Sequence, residues 1–303
     1  MSLPELAKYF KKEVPQKLEN FIEEGEKTLE KTEKMLKKAD DNIIEKVSKP
    51  LSRVSLLPPI PFPPKIICLG LNYFDHAAET QSTIPDEPII FLKPHTAITG
   101  PNHIIIKPQF VKELDYEGEL CVVIGKTAKN ISVRDAKKYI FGYSVFNDVS
   151  ARDYQFKDGQ WTRGKSFDTF APTGPCITTQ NQLKSTHNLS IRTWVNGELR
   201  QNGTTRNMVF NISEIVHQLS RVMTLEPCDI IATGTPAGIM EVDRRASSPL
   251  RGDESIGTPM TGRMVCAAMT PARWAAAPAQ AMMTCTPRLS RLSAYFWVRA
   301  GDR

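Results

Sequence analysis

The sequence predicts a mixed α+β fold in which strands dominate, and three observations carry that prediction. Between residues 65 and 238, short β-branched runs alternate with turn signals: IICLGL at 66–71, PIIFLKP at 88–94, HIIIKP at 103–108, ELCVVIGK at 119–126, YIFGYSVFNDV at 139–149, LSIRTWVNGELRQ at 189–201 and DIIATG at 229–234. Runs of this length, bounded by breakers, read as strands. Asn196-Gly197 falls between two alternating stretches, and a type I′ hairpin turn needs positive φ at both central positions, which this pair tolerates. Helical signals in the same region are few: a start at Ser132 as N-cap, and an apolar face of Ile215, Val216, Leu219 and Val222 between Ser213 and Met223.

The flanks differ in texture. Residues 1–56 are dense in alternating charge, with Leu3, Leu18, Phe21, Ile22, Leu29 and Leu36 as a sparse apolar stripe, which predicts one or two amphipathic helices. Such a segment serves either as a partner-binding arm or as a solvated cap on the domain behind it. Residues 57–64 (LPPIPFPP) hold five prolines, which forbid helix or central strand and mark an extended linker. Residues 65–240 form the expected catalytic domain. From 241 to 303 there are nine arginines and no lysine, against eight arginines and 22 lysines before it; periodicity fades, and the segment reads as a divergent tail without recognisable strands.

Composition excludes several function classes. The net charge of +6 is mild and spread out, so nothing asks for nucleic acid. No apolar run reaches the roughly 20 residues of a membrane span. The six cysteines show no metal-type spacing, and no secretory signal opens the chain, which points to a reducing cytoplasm.

Three clusters bear chemistry. Glu117 and Glu119, two apart at the start of a strand, present their carboxylates on one face. They either line a solvated face and pair with lysines or hold an oxygen-loving cation such as Mg²⁺, Mn²⁺ or Ca²⁺. Asp148 ends a buried strand, as a helix cap or a further carboxylate ligand, and Arg152 and Gln155, three apart, would face one ligand on a helical turn. His76 and Glu79 share a helical face if that segment is helical, so that Glu79 would take one ring nitrogen and leave the other as a base. Lys93 and Lys165 interrupt apolar segments, where an ammonium could steady an oxyanion. Gly234 and Thr235, in ATGTPAG after a strand, offer backbone N–H groups and a hydroxyl to a carboxylate.

Taken in order, IICLGLNYFDHAAET, EPIIFLKP, LDYEGELCVVIGK, GYSVFNDVSARDYQ, WTRGKSFDTFAPTGP, VNGELRQNGTT and DIIATGTPAG resemble the catalytic domain of the fumarylacetoacetate hydrolase family. Within it they resemble the acylpyruvase, oxaloacetate decarboxylase and 2-hydroxyhepta-2,4-diene-1,7-dioate isomerase branch. The resemblance implies a mixed β-sandwich roll, a homodimer, and Mg²⁺ or Mn²⁺ held by Glu117, Glu119 and Asp148. It further implies His76 and Glu79 on a lid, with Arg152, Gln155, Lys165 and Thr235 facing the substrate. The expected reaction is hydrolytic C–C cleavage of a 2,4-dioxo acid, with His76 activating a water, Gln155 positioning it, and Lys165 steadying a pyruvate enolate. Decarboxylation, isomerisation or hydration of a 2-oxo acid would use the same site. The final strands that relatives carry after this turn are not recognisable in 241–303, so an inactive binding or dimerisation module is the alternative of another class.

Overall fold

The computed structural model describes residues 1–239, except Asp158 and Lys184, and the backbone of residues 265–267. Four short helices open the chain: α1 (Leu3–Tyr9), α2 (Leu18–Glu24), α3 (Glu26–Lys38) and α4 (Asp41–Lys46). The expected one or two helices are divided because Gly25, at φ 65°, breaks α2 from α3, and Asp40 starts α4 afresh by accepting from the Ile43 N–H at 2.8 Å. Residues 57–64 contain neither helix nor strand.

The body of the chain runs β1 (Ile66–Gly70), α5 (Phe74–Glu79), β2 (Ile89–Lys93), β3 (Ile98–Thr99), β4 (Leu114–Asp115), β5 (Gly118–Ile124), β6 (Ile140–Asn147), β7 (Ser150–Ala151), α6 (Arg152–Gln155), α7 (Thr162–Lys165), β8 (Ala171–Pro172), β9 (Thr178–Thr179), β10 (Ser190–Val195), β11 (Glu198–Thr204), α8 (Ile212–Val222) and β12 (Ile230–Ala232). The fold is mixed α+β and strand-dominated, as the sequence predicts. Its main sheet has six strands in the order β2-β1-β12-β5-β6-β9. Only β1 and β12 pair in parallel within it.

Alternation along the central strands divides the core in two. Ile66, Cys68, Cys121, Val123, Ile230 and Ala232 face the N-terminal helices. Ile67, Leu69, Leu120, Val122, Ile124 and Ile231 face α8, whose buried stripe is Ile212, Ile215, Val216 and Leu219. A central sheet covered on both faces explains why these strands read as continuous apolar runs. The apolar stripe of residues 1–50 is spent on the first face, where Phe21 meets the Phe141 ring edge-on at 6.4 Å between centroids. The N-terminal helices therefore cap the sheet.

The hairpin turn at Asn196-Gly197 has φ 53° and 86°, as a type I′ turn demands. Its strands β10 and β11 form a second sheet with β13 (Val265–Ala267), in the order β11-β10-β13. Here the structure corrects the sequence reading, which finds no strand after residue 240. The remainder of the tail assigned to 241–303 lies outside the described residues.

Two further expectations are corrected. HIIIKP is extended but unpaired: Ile104 and Ile106 are exposed, Ile105 packs on the small cluster of Val111, Val149 and Phe170, and the Ile106 N–H donates to Thr169 Oγ1 rather than to a strand. Ser132 caps only a turn, followed by a 3₁₀ segment at Ala136–Tyr139; its hydroxyl is engaged with Asp135. Among the described residues no helix is long and apolar enough to cross a membrane.

Candidate metal centre

The antiparallel pairing of β5 and β6 assembles the site. Gly118 lies opposite Asn147 in the register, and the Asp148 N–H donates to the Glu117 carbonyl at 2.9 Å. Residues just before β5 and just after β6 are thus forced together. Glu117, Glu119 and Asp148, all buried, each offer an oxygen, and these oxygens lie within 4.8 Å of one another. The three carboxylates could hold a metal ion, and an all-oxygen donor set suits a hard divalent cation.

Three buried cations surround them. Lys165, on α7, reaches Glu117 Oε2 at 2.9 Å and Asp148 Oδ2 at 2.8 Å. Lys93, at the end of β2, pairs with Asp148 and donates to the Val149 carbonyl at 3.1 Å. Arg152, on α6, reaches Glu117 Oε1 at 2.6 Å, donates to Gln155 Oε1 at 2.8 Å, and forks onto Asp115. Burial alone would raise the Glu117 carboxyl, but Lys165 and Arg152 hold it down at about 2, with His76 acting the same way. Glu119 goes the other way: burial, then the Asp148 and Glu117 charges, push it well above the carboxylate range.

That contrast is a matter of partners. Glu119 Oε2 accepts the Gly234 N–H at 2.9 Å, while its Oε1 is buried without a hydrogen-bond partner. Four buried carboxyl groups (Asp115, Glu117, Glu119, Asp148) lie among three buried cations, and Glu119 is the one of the four for which the ion pairs above supply no cationic partner. A buried carboxylate oxygen with no donor is costly. An unpartnered oxygen next to two further carboxylates is a donor set that fits a divalent cation.

The pair expected as base and orienter stands on α5, with His76 Nδ1 at 3.5 Å from Glu79 Oε2. Glu79 is itself held: the Gly238 N–H donates to its carboxylate at 2.9 Å, and the Tyr116 hydroxyl donates to the Gly238 carbonyl at 2.9 Å. Gly234 and Thr235, read from the sequence as donors to a substrate, are engaged within the chain. Gly234 serves Glu119, and the Thr235 hydroxyl donates to the Gly118 carbonyl at 3.0 Å. Contacts within the chain thus link Lys93, Glu117, Glu119, Asp148, Arg152, Gln155, Lys165, Gly234 and Thr235 in one network. His76 and Glu79 join it through Gly238 and Tyr116.

Sequence reasoning misses Asp115 and Gln201. Asp115 continues the period-two row of Glu117 and Glu119 and was visible on that ground. Gln201 lies in the polar run LRQNG and gives no such signal.

Comparison with known proteins gives the family. Residues 65–268 match the family described as fumarylacetoacetate (FAA) hydrolase, C-terminal. The chain belongs to the fumarylacetoacetate hydrolase family. An uncharacterized protein of Archaeoglobus fulgidus is 52% identical over 190 residues, covering 63% of this chain and 74% of that protein. Among relatives of this family, the protein named oxaloacetate tautomerase fahd2, mitochondrial, from Xenopus laevis is 44% identical over 228 residues, covering 75% of this chain and 70% of its own length. The solved structure of 2-hydroxyhepta-2,4-diene-1,7-dioate isomerase from Mycobacterium marinum aligns with a TM-score of 0.57 at 46% identity, covering 63% of this chain and 71% of that one. The chain is therefore a fumarylacetoacetate hydrolase family enzyme, in the branch that includes these tautomerase and isomerase names.

Proposed function

We propose that this enzyme moves a proton within a small 2-oxo dicarboxylic acid, as a tautomerase or isomerase. Glu117, Glu119 and Asp148 are its divalent-cation ligands, and His76 is its acid–base group. The observation that carries the reading is the orphaned Glu119 Oε1 beside two more carboxylates. A cation there would leave the cluster positive overall, which suits an anionic substrate. Mg²⁺ or Mn²⁺, with Ca²⁺ also matching the oxygen donors, would supply a Lewis acid that makes the carbon next to the 2-oxo group more acidic.

The chain's own residues supply the rest. The His76 nitrogen turned away from Glu79 takes a proton from that carbon and returns it to the oxygen or to a more distant carbon. Glu79, facing Nδ1, steadies the imidazolium in between. Lys165 stays charged although buried, because Asp148 and Glu117 oppose the effect of burial, and its ammonium lowers the energy of negative charge developing on the 2-oxo oxygen. Gly234 and Thr235 hold the turn against Glu119 and Gly118, while Lys93 and Arg152 hold the carboxylates and present the substrate's own carboxylates with positive charge.

Hydrolytic cleavage of a 2,4-dioxo acid, the reaction first expected from the sequence, asks for more. Gln155 would have to position a water, and its Oε1 already accepts from Arg152 at 2.8 Å. A proton transfer needs only the His76–Glu79 pair, and it agrees with the names carried by the Xenopus laevis and Mycobacterium marinum relatives. The reading includes a homodimer and a reducing compartment, the latter supported by the buried free thiols of Cys68, Cys121 and Cys228.

The test is to supply oxaloacetate with Mg²⁺ and follow enol absorbance and pyruvate release in one sample. Keto–enol exchange should accelerate while pyruvate forms no faster than without protein, and chelation should remove the acceleration. Pyruvate release from an acylpyruvate, with no effect on tautomerisation, would overturn the reading in favour of hydrolysis.

A further inference from the structure

Among the buried side chains of the hairpin β10–β11, Gln201 has a polar head that none of the chemistry above uses. Along β11 only Gln201 is fully buried, and its amide meets four partners. Its Oε1 accepts the Gly118 N–H at 2.9 Å and the Thr193 hydroxyl at 2.8 Å. Its Nε2 donates to Thr235 Oγ1 at 2.7 Å and to the Pro236 carbonyl at 2.9 Å. A backbone N–H at one end and a backbone carbonyl at the other fix the amide's orientation. A carboxylate would confront the Pro236 carbonyl, and an ammonium would confront the Gly118 N–H; glutamine satisfies both.

Those partners lie one residue from the carboxylates. Gly118 separates Glu117 from Glu119, and Thr235 follows Gly234, whose N–H holds Glu119. Thr235 also donates to the Gly118 carbonyl, so Gln201, Thr235 and Gly118 close a ring of hydrogen bonds around the base of the carboxylate cluster. The hairpin backbone is seated directly on this turn. A Cβ at Gly203 would lie 2.3 Å from Pro236 Cβ, and one at Gly238, where φ is 98°, would lie 2.1 Å from the Arg200 carbonyl oxygen. Only glycine permits either approach.

We infer that Gln201 is a positioning residue for the cation site: it clamps the turn at 234–236 onto the start of β5 and thereby sets the separation of Glu119 from Glu117 and Asp148. This rests on the proposed reading of those carboxylates as cation ligands. Groups that hold ligands in place are worth about 10–100-fold in metal affinity.

The test uses the full chain and Mn²⁺ alone, with affinity read by calorimetry and by the electron paramagnetic resonance of the bound ion. Gln201→Leu, if folded by circular dichroism, should raise the Mn²⁺ dissociation constant about tenfold or more. Phe21→Ala, a core truncation in the N-terminal helices away from this ring of hydrogen bonds, should lower the melting temperature while leaving that constant within about twofold, as a change remote from the ligands does. A folded Gln201→Leu that binds Mn²⁺ as the wild type does would overturn the inference while leaving the cation site intact. A wild type that binds no Mn²⁺ would overturn the cation reading itself. Should Gln201→Leu fail to fold, Thr235→Val breaks the same ring from the other side and is held to the same tenfold criterion.

Discussion

Glu79 and Gly238, 159 residues apart in sequence, are joined by a 2.9 Å hydrogen bond from the Gly238 backbone to the Glu79 carboxylate. The carboxylate that faces His76 is thus held by the turn after β12. Tyr116, next in sequence to Glu117, secures that turn through the Gly238 carbonyl. Tyr116→Phe should therefore lower kcat/KM by about 2–10-fold, the worth of one such bond, with Mn²⁺ affinity unchanged. Steady-state kinetics beside a Mn²⁺ titration checks it; an equal loss of Mn²⁺ binding would contradict the assignment to the His76–Glu79 side.

His76→Ala should lose about 10²-fold or more in kcat, the usual worth of a placed acid–base group. Thermal unfolding and its Mn²⁺-induced shift should stay as in wild type, because His76 is not among the carboxylate ligands. Retained turnover would remove His76 from the proton path.

Glu119→Gln separates charge from shape. Burial, followed by the charges of Asp148 and Glu117, makes the folded state hold the Glu119 proton more tightly than the unfolded chain does. A carboxyl raised in this way contributes stability below its ordinary value of 4.5, and that contribution is lost as pH rises toward the folded value. The metal-free variant should accordingly melt a few degrees above metal-free wild type at neutral pH, at about 2–4 °C per kcal/mol, and the gap should narrow toward pH 4.5. Mn²⁺ should then stabilise wild type, by about 2.7 kcal/mol at a hundredfold excess over its dissociation constant, and leave the variant unmoved. Scanning calorimetry at several pH values reads both effects; equal melting, or a Mn²⁺ shift in the variant, would refute them.

Phe21→Ala tests the N-terminal helices as part of the core. Phe21 is buried against Phe141 of β6, and loss of a buried phenylalanine typically costs about 3–5 kcal/mol. Chemical denaturation should show a lower midpoint with an unchanged slope. A neutral result would make the helices a detachable arm.

What was legible in the sequence followed local periodicity. Glu117 and Glu119 show their shared face because a strand repeats every second residue, and Arg152 with Gln155 shows its shared turn because a helix repeats near every fourth. The meeting of Asp148 with Glu117 was legible only through the resemblance, since it depends on the β5–β6 register. Gln201 was not legible at all: its partners Gly118 and Thr235 lie 83 and 34 residues away, and a glutamine amid exposed hairpin residues looks like solvent-facing polarity. HIIIKP misled for the converse reason, since its β-propensity is real but no neighbouring strand pairs with it among the described residues. The strand at Val265–Ala267 was hidden because three residues carry no periodic signal of their own.

The parallel seam of β1 and β12 has a consequence for how the molecule comes into being. Ile66 pairs with Ile230, and β12 fills the slot between β1 and β5. As the chain leaves the ribosome, β1 and β5 are complete long before residues 230–232 exist, and each then presents a row of unpaired N–H and carbonyl groups along an apolar strand. Open edges of that kind invite pairing with other chains, and the arrival of β12 covers both at once. The turn at 234–238, which follows at once, then brings Gly234 to Glu119 and Gly238 to Glu79, so that closure of the sheet and assembly of the site are a single late event.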